Sequence, residues 1–368
     1  TEINSVIALY SNGQIQEALD AVETLTKSYP NEALLYNISG ACFAGLGQLD
    51  NALKSYEKAL AIKPDYAEVH YNLGVTLQEL NQLDAAVKSY KQALTIKPDF
   101  ADAHNNLGIT LKKLGQLDAA VKSYKQALTI KPDYAEAHNN LGNTLNDLSQ
   151  LDEAVKSFEK ALAINPDYAE AHNNLGNTLN DLSQLDEAVK CFKQALAINP
   201  DYAEAHNNLG NTLTNLDQLD AALVSFERAL ILNPELSFLL GQSLHSKMTL
   251  CLWDDLPNEL NELTKKINNN EKVIEPFSML ALIDDPEIQR KTAEIFANEK
   301  YPKNHDLPEI GHYPKHKKIR IGYFSADFKE HPVSALTAEL YEIHDRAQFE
   351  IHAFSYGPDT KDKMNLRI

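Results

Sequence analysis

Cysteine is scarce in this chain of 368 residues: the three present, Cys42, Cys191 and Cys251, stand far apart. They are too few for a disulfide framework and match no metal-ligand spacing, so they read as reduced, intracellular thiols, and no metal site is expected. Positive charge is in deficit as well, with 34 Lys plus Arg against 52 Asp plus Glu and a formal net charge of -18. Phosphate contacts need the opposite balance, which argues against a nucleic-acid partner. Long apolar runs are missing: none reaches the length that crosses a bilayer, and the N-terminus lacks the basic-then-apolar pattern of a signal peptide. The expectation is a cytoplasmic protein with no membrane partner. With 43% hydrophobic residues the chain can bury a core and is no disordered acidic tail.

What the chain has in abundance is repetition. Prolines at 30, 64, 98, 132, 166, 200 and 234 follow one another at intervals of 34 residues, so seven units fill 1–234. Six residues after the prolines come His70, His104, His138, His172 and His206, with Tyr36 in the earliest comparable place. Ten residues on come Gly40, Gly74, Gly108, Gly142, Gly176 and Gly210; further on come alanines 52 to 222 and the aromatics Tyr56, Tyr90, Tyr124, Phe158, Phe192 and Phe226. Apolar residues recur at helical spacing on either side of short breaks such as Gly115-Gln116 and Ser149-Gln150, which predicts two helices per unit. Small residues let the paired helices approach, the aromatic fills the space between them, and the proline closes the second helix.

This pattern resembles the tetratricopeptide repeat. The resemblance implies a mainly α fold, a right-handed superhelix with the first helix of each pair lining its concave surface. That helix carries two rows of asparagine: Asn72, Asn106, Asn140, Asn174 and Asn208, and beside them Asn105, Asn139, Asn173 and Asn207. A third row, Asn143, Asn177 and Asn211, follows one turn on. An amide both donates and accepts, so such rows can hold the backbone of an extended peptide without reading its side chains. Helices about 8–10 Å apart, against a chain rising about 3.3 Å per residue, place roughly one asparagine for every three peptide residues. The alternative is that some of these amides only bridge neighbouring helices. The histidines, one per unit, stand too far apart to share a metal and read as packing between helices.

The period fails after Pro234. Residues 235–253 predict an apolar helix capping the stack, and 257–268 and 285–299 predict further helices of a linker that runs to 316. From Lys318 the pattern becomes strand, helix, strand: Ile319 to Phe324, Ser334 to His344, and Phe349 to Tyr356. This is a β-α-β unit, the opening of a parallel sheet. The first strand leads into a loop, Ser325 to Pro332, that holds Asp327 and His331.

The stretch Lys318-Ile-Arg-Ile-Gly-Tyr-Phe-Ser-Ala-Asp-Phe, the pair His331-Pro332, and Phe349-Glu-Ile-His-Ala-Phe-Ser-Tyr resemble the start of the catalytic region of the protein O-linked N-acetylglucosaminyltransferases and the related SPINDLY proteins. Cys251-Leu-Trp-Asp-Asp and Pro276-Phe-Ser are similar to the segment that joins repeats to catalytic region there. The resemblance implies three parts: the solenoid at 1–234, a capping helix and helical linker at 235–316, and at 317–368 the first, incomplete part of a Rossmann-like glycosyltransferase lobe. It implies an inverting, metal-independent transfer of GlcNAc from UDP-GlcNAc to Ser or Thr of proteins held in the repeat groove, and repeat surfaces in this family can also support dimers. This segment is expected to bind acceptor but no donor by itself, because the family holds the nucleotide mainly on a second lobe. His331 matches a cleft histidine considered as a base, and an imidazole near neutral pKa can take a hydroxyl proton; the alternative is that His331-Pro332 shapes a turn. Asp327 orients His331 or, preferably, caps a helix. Ala335 departs from the second histidine many members carry. Two other readings stand beside the leading one: a non-enzymatic scaffold for partner peptides, and an O-fucosyltransferase of the SPINDLY type.

The acidity has an architectural reading too. Residues 1–234 hold 30 acidic and 17 basic side chains. Asp65, Asp99, Asp133, Asp167 and Asp201, each followed three residues later by Glu or Asp, have the spacing of a capping box on the first helix. Asp50, Asp84, Asp118, Asp152, Asp186 and Asp220 stand similarly at the start of the second.

Overall fold

The computed structural model describes residues 2–302, 317–325, 342–355 and 363. Helices come in consecutive pairs: α1 (Glu2–Ser11) with α2 (Ile15–Ser28), α3 (Ala33–Gly45) with α4 (Leu49–Ile62), and α5 (Ala67–Glu79) with α6 (Leu83–Ile96). The series continues with α7 (Ala101–Lys113) and α8 (Leu117–Ile130), α9 (Ala135–Asp147) and α10 (Leu151–Ile164), α11 (Ala169–Asp181) and α12 (Leu185–Ile198), and α13 (Ala203–Asn215) and α14 (Leu219–Leu232). The seven repeats read from the prolines are therefore seven helix pairs.

The prolines end the second helices as expected. Lys97, before Pro98, is held at φ -129 and ψ 85, and its N–H still reaches the Ala93 carbonyl at 2.8 Å. Between the helices of a pair the chain passes through a left-handed residue, Gly115 at φ 72, or Ser149 at φ 58 where glycine is absent. Gln116 N–H then returns to the Leu111 carbonyl at 2.9 Å, the six-residue closure that satisfies the last turn of a helix.

The capping-box reading does not survive. The first helices are entered through an aromatic, Tyr66, Phe100, Tyr134, Tyr168 or Tyr202, with no side-chain cap bond, and Asp65 and its equivalents stand one residue further out, in the turn. The second helices likewise start from Gln48, Gln82, Gln116, Gln150, Gln184 or Gln218 with no side-chain cap bond, and Asp50, Asp84 and their equivalents stand inside the first turn. The carboxylates favour these helix starts through the dipole alone. The turn before each first helix is pinned differently: Lys63, Lys97 and Lys131 lie 4.7, 4.7 and 4.4 Å from the entering ring, and where asparagine replaces lysine, Asn165 and Asn199 accept from the N–H of Asp167 and Asp201 at 3.3 Å.

Within each pair the glycine lies under the aromatic ring. A Cβ at Gly108 would sit 2.6 Å from the nearest Tyr124 ring carbon, and at Gly142 2.7 Å from that of Phe158. The rings are buried, as are the alanines at 86, 120, 154, 188 and 222. The aromatic residues, the alanines and Leu107, Leu141, Leu175 and Leu209 form one continuous apolar core from Leu77 to Leu239.

The repeated histidines have a structural task. Nε2 of His70, His104, His138, His172 and His206 donates to the carbonyl of the proline six residues back, at 2.9–3.1 Å. Tyr36 does the same for Pro30 through its hydroxyl, at 3.1 Å. Each bond ties the turn closing one repeat to the first helix of the next.

After the repeats, α15 (Leu239–Thr249) packs on α14 and buries Leu239 and Leu244, so the expected cap of the stack is present in a shorter helix. The N–H groups of Phe238 and Gly241 donate to the carbonyls of Lys272 and Val273, at 2.6 and 2.8 Å. The linker continues as α16 (Leu256–Asn268), α17 (Pro276–Leu282) and α18 (Pro286–Lys300), and residues Thr1–Pro302 form one compact unit. The short α17 was not anticipated. In the second unit β1 (Ile319–Ser325) pairs in parallel with β2 (Phe349–Ser355), Ile321 opposite Ile351. The helix expected at 334–344 lies largely outside the described residues.

Two outcomes test this packing. Gly108→Ala forces the Tyr124 ring aside, at a cost of about 1–3 kcal/mol for overpacking against roughly 1 kcal/mol gained in helix propensity, so a net loss in chemical denaturation is expected. His138 supplies the second. Burial, chiefly, and repulsion from Lys160 hold its imidazolium below the ordinary value of 6.5, outweighing the Pro132 carbonyl. The unfolded chain therefore binds the extra proton first, and the stability that neutral His138 contributes is complete above about pH 6.5 and lost as pH falls below it. His138→Tyr, copying Tyr36, is expected to flatten this part of the Tm-against-pH curve on the acid side.

Candidate functional site

The first helices place the asparagine rows in register, and the two principal rows differ in role. Asn105, Asn139 and Asn173 are buried, with 0–5% exposure, and Asn207 is half-buried; Asn72, Asn106, Asn140, Asn174 and Asn208 are all half-buried. A ladder joins the rows across repeats. Nδ2 of Asn140 donates to Oδ1 of Asn105 at 3.2 Å, Asn174 to Asn139 at 3.1 Å, and Asn208 to Asn173 at 3.0 Å. At the N-terminal end the acceptors change, with Asn72 donating to Oδ1 of Asn37 at 3.0 Å and Asn106 to the hydroxyl of Tyr71 at 3.0 Å. The buried row is anchored in turn: Asn105 and Asn139 donate to Glu136 and Glu170 of the next repeat, at 3.4 and 3.2 Å.

Each half-buried amide thus has its donor end tied down, which fixes the side chain. For Asn140, Asn174 and Asn208 no protein donor reaches Oδ1 among the described residues. The bridging alternative holds for the buried row, whereas the half-buried row both bridges and presents an acceptor. The ladder stops at Asn207, whose Oδ1 is buried without a donor; Gln242, 35 positions on, has its own Oε1 buried and unpartnered. Asn37, Tyr71 and Gln242 were not anticipated. The signal for them is the 35-residue offset between donor and acceptor, one more than the repeat.

One turn along the same helices the surface changes midway. Ala41, Val75 and Ile109 occupy in the first units the place that Asn143, Asn177 and Asn211 occupy later. At the apolar end a cavity of about 520 Å³ opens against Asn37 and Asn72 of the ladder, with Ile7, Tyr10, Ile38 and Ala41 beside them. This face of the first helices therefore passes from an apolar and aromatic end to an amide-bearing one.

Other candidate chemistry on the solenoid falls away. Burial pushes the Cys191 thiol up to about 11 and raises that of Cys42, which removes both as thiolate nucleophiles. No group of three or more His, Cys, Asp or Glu among the described residues is arranged to hold a metal, and no described helix is long and apolar enough to cross a membrane. Asp327 and His331 lie outside the described residues. Around the strands that flank them, Tyr323 and His344 are joined hydroxyl to Nε2 at 2.6 Å, and Arg320 pairs with Glu350 at 2.9 Å.

Residues 42–81, 77–115, 110–148, 142–182 and 176–217 match the TPR repeat, 203–236 the tetratricopeptide repeat, and 291–368 glycosyl transferase family 41. Over 143 residues the chain is 28% identical to the probable UDP-N-acetylglucosamine--peptide N-acetylglucosaminyltransferase SEC of Arabidopsis thaliana, a match covering 34% of this chain and 14% of that protein. The chain thus corresponds to a small share of that relative's length. Among solved structures, a chain of the APC/C hetero-tetramer Cut9-Hcn1 has a TM-score of 0.54 at 17% identity, covering 66% of this chain and 48% of its own. PilF of Pseudomonas aeruginosa has a TM-score of 0.50 at 21% identity, covering 55% and 92%. Both likenesses concern the fold alone. The repeat matches together span 42–236, more than half of the chain, which therefore belongs to the tetratricopeptide-repeat proteins, and its C-terminal stretch is similar to glycosyl transferase family 41, the O-linked N-acetylglucosaminyltransferase and SPINDLY-like glycosyltransferases.

Proposed function

We propose that this chain is the acceptor-binding part of a protein O-glycosyltransferase that moves GlcNAc from UDP-GlcNAc to Ser or Thr, with inversion and without a metal. The observation that carries this is the row of pinned amides, Asn140, Asn174 and Asn208, each with its donor end held by the preceding repeat and its Oδ1 left over. Fixed acceptors at a regular interval suit the backbone N–H groups of an extended peptide, and an amide fixed beforehand loses little entropy on binding. The 1–234 solenoid then captures the acceptor, 235–316 joins it to the catalytic region, and 317–368 begins that region.

The chemistry assigned to this chain's own residues is modest. The acceptor hydroxyl attacks the anomeric carbon of the donor sugar, the bond to the diphosphate breaks, and UDP leaves with the bonding pair. His331 is the candidate to take the hydroxyl proton, with Asp327 a weaker candidate to orient it. UDP-GlcNAc itself would be held by parts of the whole protein other than these residues. A GDP-fucose donor, by likeness to SPINDLY, is the alternative within the same chemistry. The scaffold reading has its own support, since the asparagine rows lie wholly within the compact unit Thr1–Pro302.

The deciding experiment gives the full-length natural protein labelled UDP-GlcNAc or GDP-fucose with an acceptor peptide. Incorporation of GlcNAc alone is expected; fucose alone would replace the donor, and neither would leave the scaffold. For the groove, Asn106→Ala with Asn140→Ala and Asn174→Ala is expected to weaken peptide capture about ten-fold or more in a titration. Each lost ladder bond lowers stability by about 0.5–1.5 kcal/mol without unfolding the stack. Equal affinity of variant and parent, with both folded by circular dichroism, would dismiss the groove as the acceptor site.

A further inference from the structure

The second helices α8 and α10 both pack against the first helix α9, which leaves a furrow between them. Between α8 and α10 this furrow opens into a cavity of about 930 Å³, a volume within the range of binding sites. Its floor is apolar, with Leu141 and Leu145 of α9. Lys125 stands on the α8 wall, and Lys156 and Lys160, one turn apart, stand on the α10 wall. Glu153 is the one carboxylate among the lining residues, and none of the three lysines forms an ion pair among the described residues.

This concentration of charge is peculiar to one furrow. The corresponding residues are Lys91, Lys122 and Gln126 between α6 and α8, Glu159, Lys190 and Gln194 between α10 and α12, and Lys193, Val224 and Arg228 between α12 and α14. The histidine beneath the furrow differs as well. His138 is 7% exposed, whereas His70, His104, His172 and His206 are only half-buried. Its Nε2 is committed to the Pro132 carbonyl, so Nδ1 of the neutral ring is an acceptor, and it lies buried with no partner. A lining that combines unpaired cations with an apolar floor calls for a ligand with carboxylates and apolar groups. Those are the features of a peptide rich in acidic and apolar side chains. The chain as a whole, at -18, repels such a ligand at a distance, so its capture needs a local patch of this kind.

We propose that the furrow between α8 and α10 binds an acidic, partly apolar peptide segment of a partner protein, with carboxylates on Lys125, Lys156 and Lys160 and apolar side chains on Leu141 and Leu145. This site is separate from the asparagine groove and does not depend on its function.

The test uses a fluorescent synthetic peptide in which Glu and Leu alternate, with a Gln and Leu counterpart, titrated against the whole chain. Lys125→Gln with Lys156→Gln and Lys160→Gln is compared with Lys88→Gln, Lys122→Gln and Lys190→Gln, which removes the same charge from other furrows. The parent and the second variant are expected to bind the Glu peptide and not its counterpart, while the first variant binds roughly ten-fold more weakly. Saturation is expected to shift the His138 ring signals in NMR spectra, assigned by their loss in His138→Gln. Absence of binding, equal weakening in both variants, or binding that leaves His138 unmoved would overturn the proposal. So would full displacement of the peptide by phosphatidylserine vesicles, which would point to a lipid surface instead.

Discussion

The contact on which the solenoid depends is the aromatic ring of each second helix lying on the glycine of its own first helix. With Cβ atoms excluded at Gly40, Gly74, Gly108, Gly142, Gly176 and Gly210, the paired helices approach closely enough for the ring to be buried by its own repeat. The neighbouring repeat supplies the remaining leucine and alanine contacts, so one apolar core runs along the stack from Leu77 to Leu239. Each unit completes the burial of the next, which is how a quasi-one-dimensional fold gains cooperativity without a central core.

Because packing is settled by glycine, alanine and the rings, the faces of the helices are free to carry polar chemistry. On the first helices that freedom is used for an amide ladder whose rungs cross from one repeat to the next. The ladder contributes to stacking and, in the same stroke, immobilises the half-buried amides. On the second helices the solvent face varies from repeat to repeat, and one furrow gathers lysines above a buried imidazole. The two surfaces differ in kind: one is regular along the stack, the other local.

Much of this could be read from the sequence because periodicity repeats each observation. Seven copies of a proline, six of a glycine and six of an aromatic leave little room for a different pairing of helices. Where reading from the sequence went astray, the reason was short-range spacing. Asp65 and Glu68 are three apart, as in a capping box, yet the residue between turn and helix is Tyr66, whose ring packs under Lys63 and displaces the aspartate from the cap position. The histidines were recognised as structural, but their bond to the proline carbonyl needed the turn geometry. Likewise α17 is a short helix of the linker, where no repetition reinforces a weak pattern.

The sequence by itself determined the repeat, its helix pairs, the glycine and ring that lock them, and the resemblance of the C-terminal stretch to the family 41 glycosyltransferases. These follow from local periodicity and from motifs read within one unit. Only the tertiary structure decided which asparagines are buried and which present an oxygen. The ladder joins residues 35 apart in neighbouring repeats, so the role of each amide is set by a partner that no single unit contains.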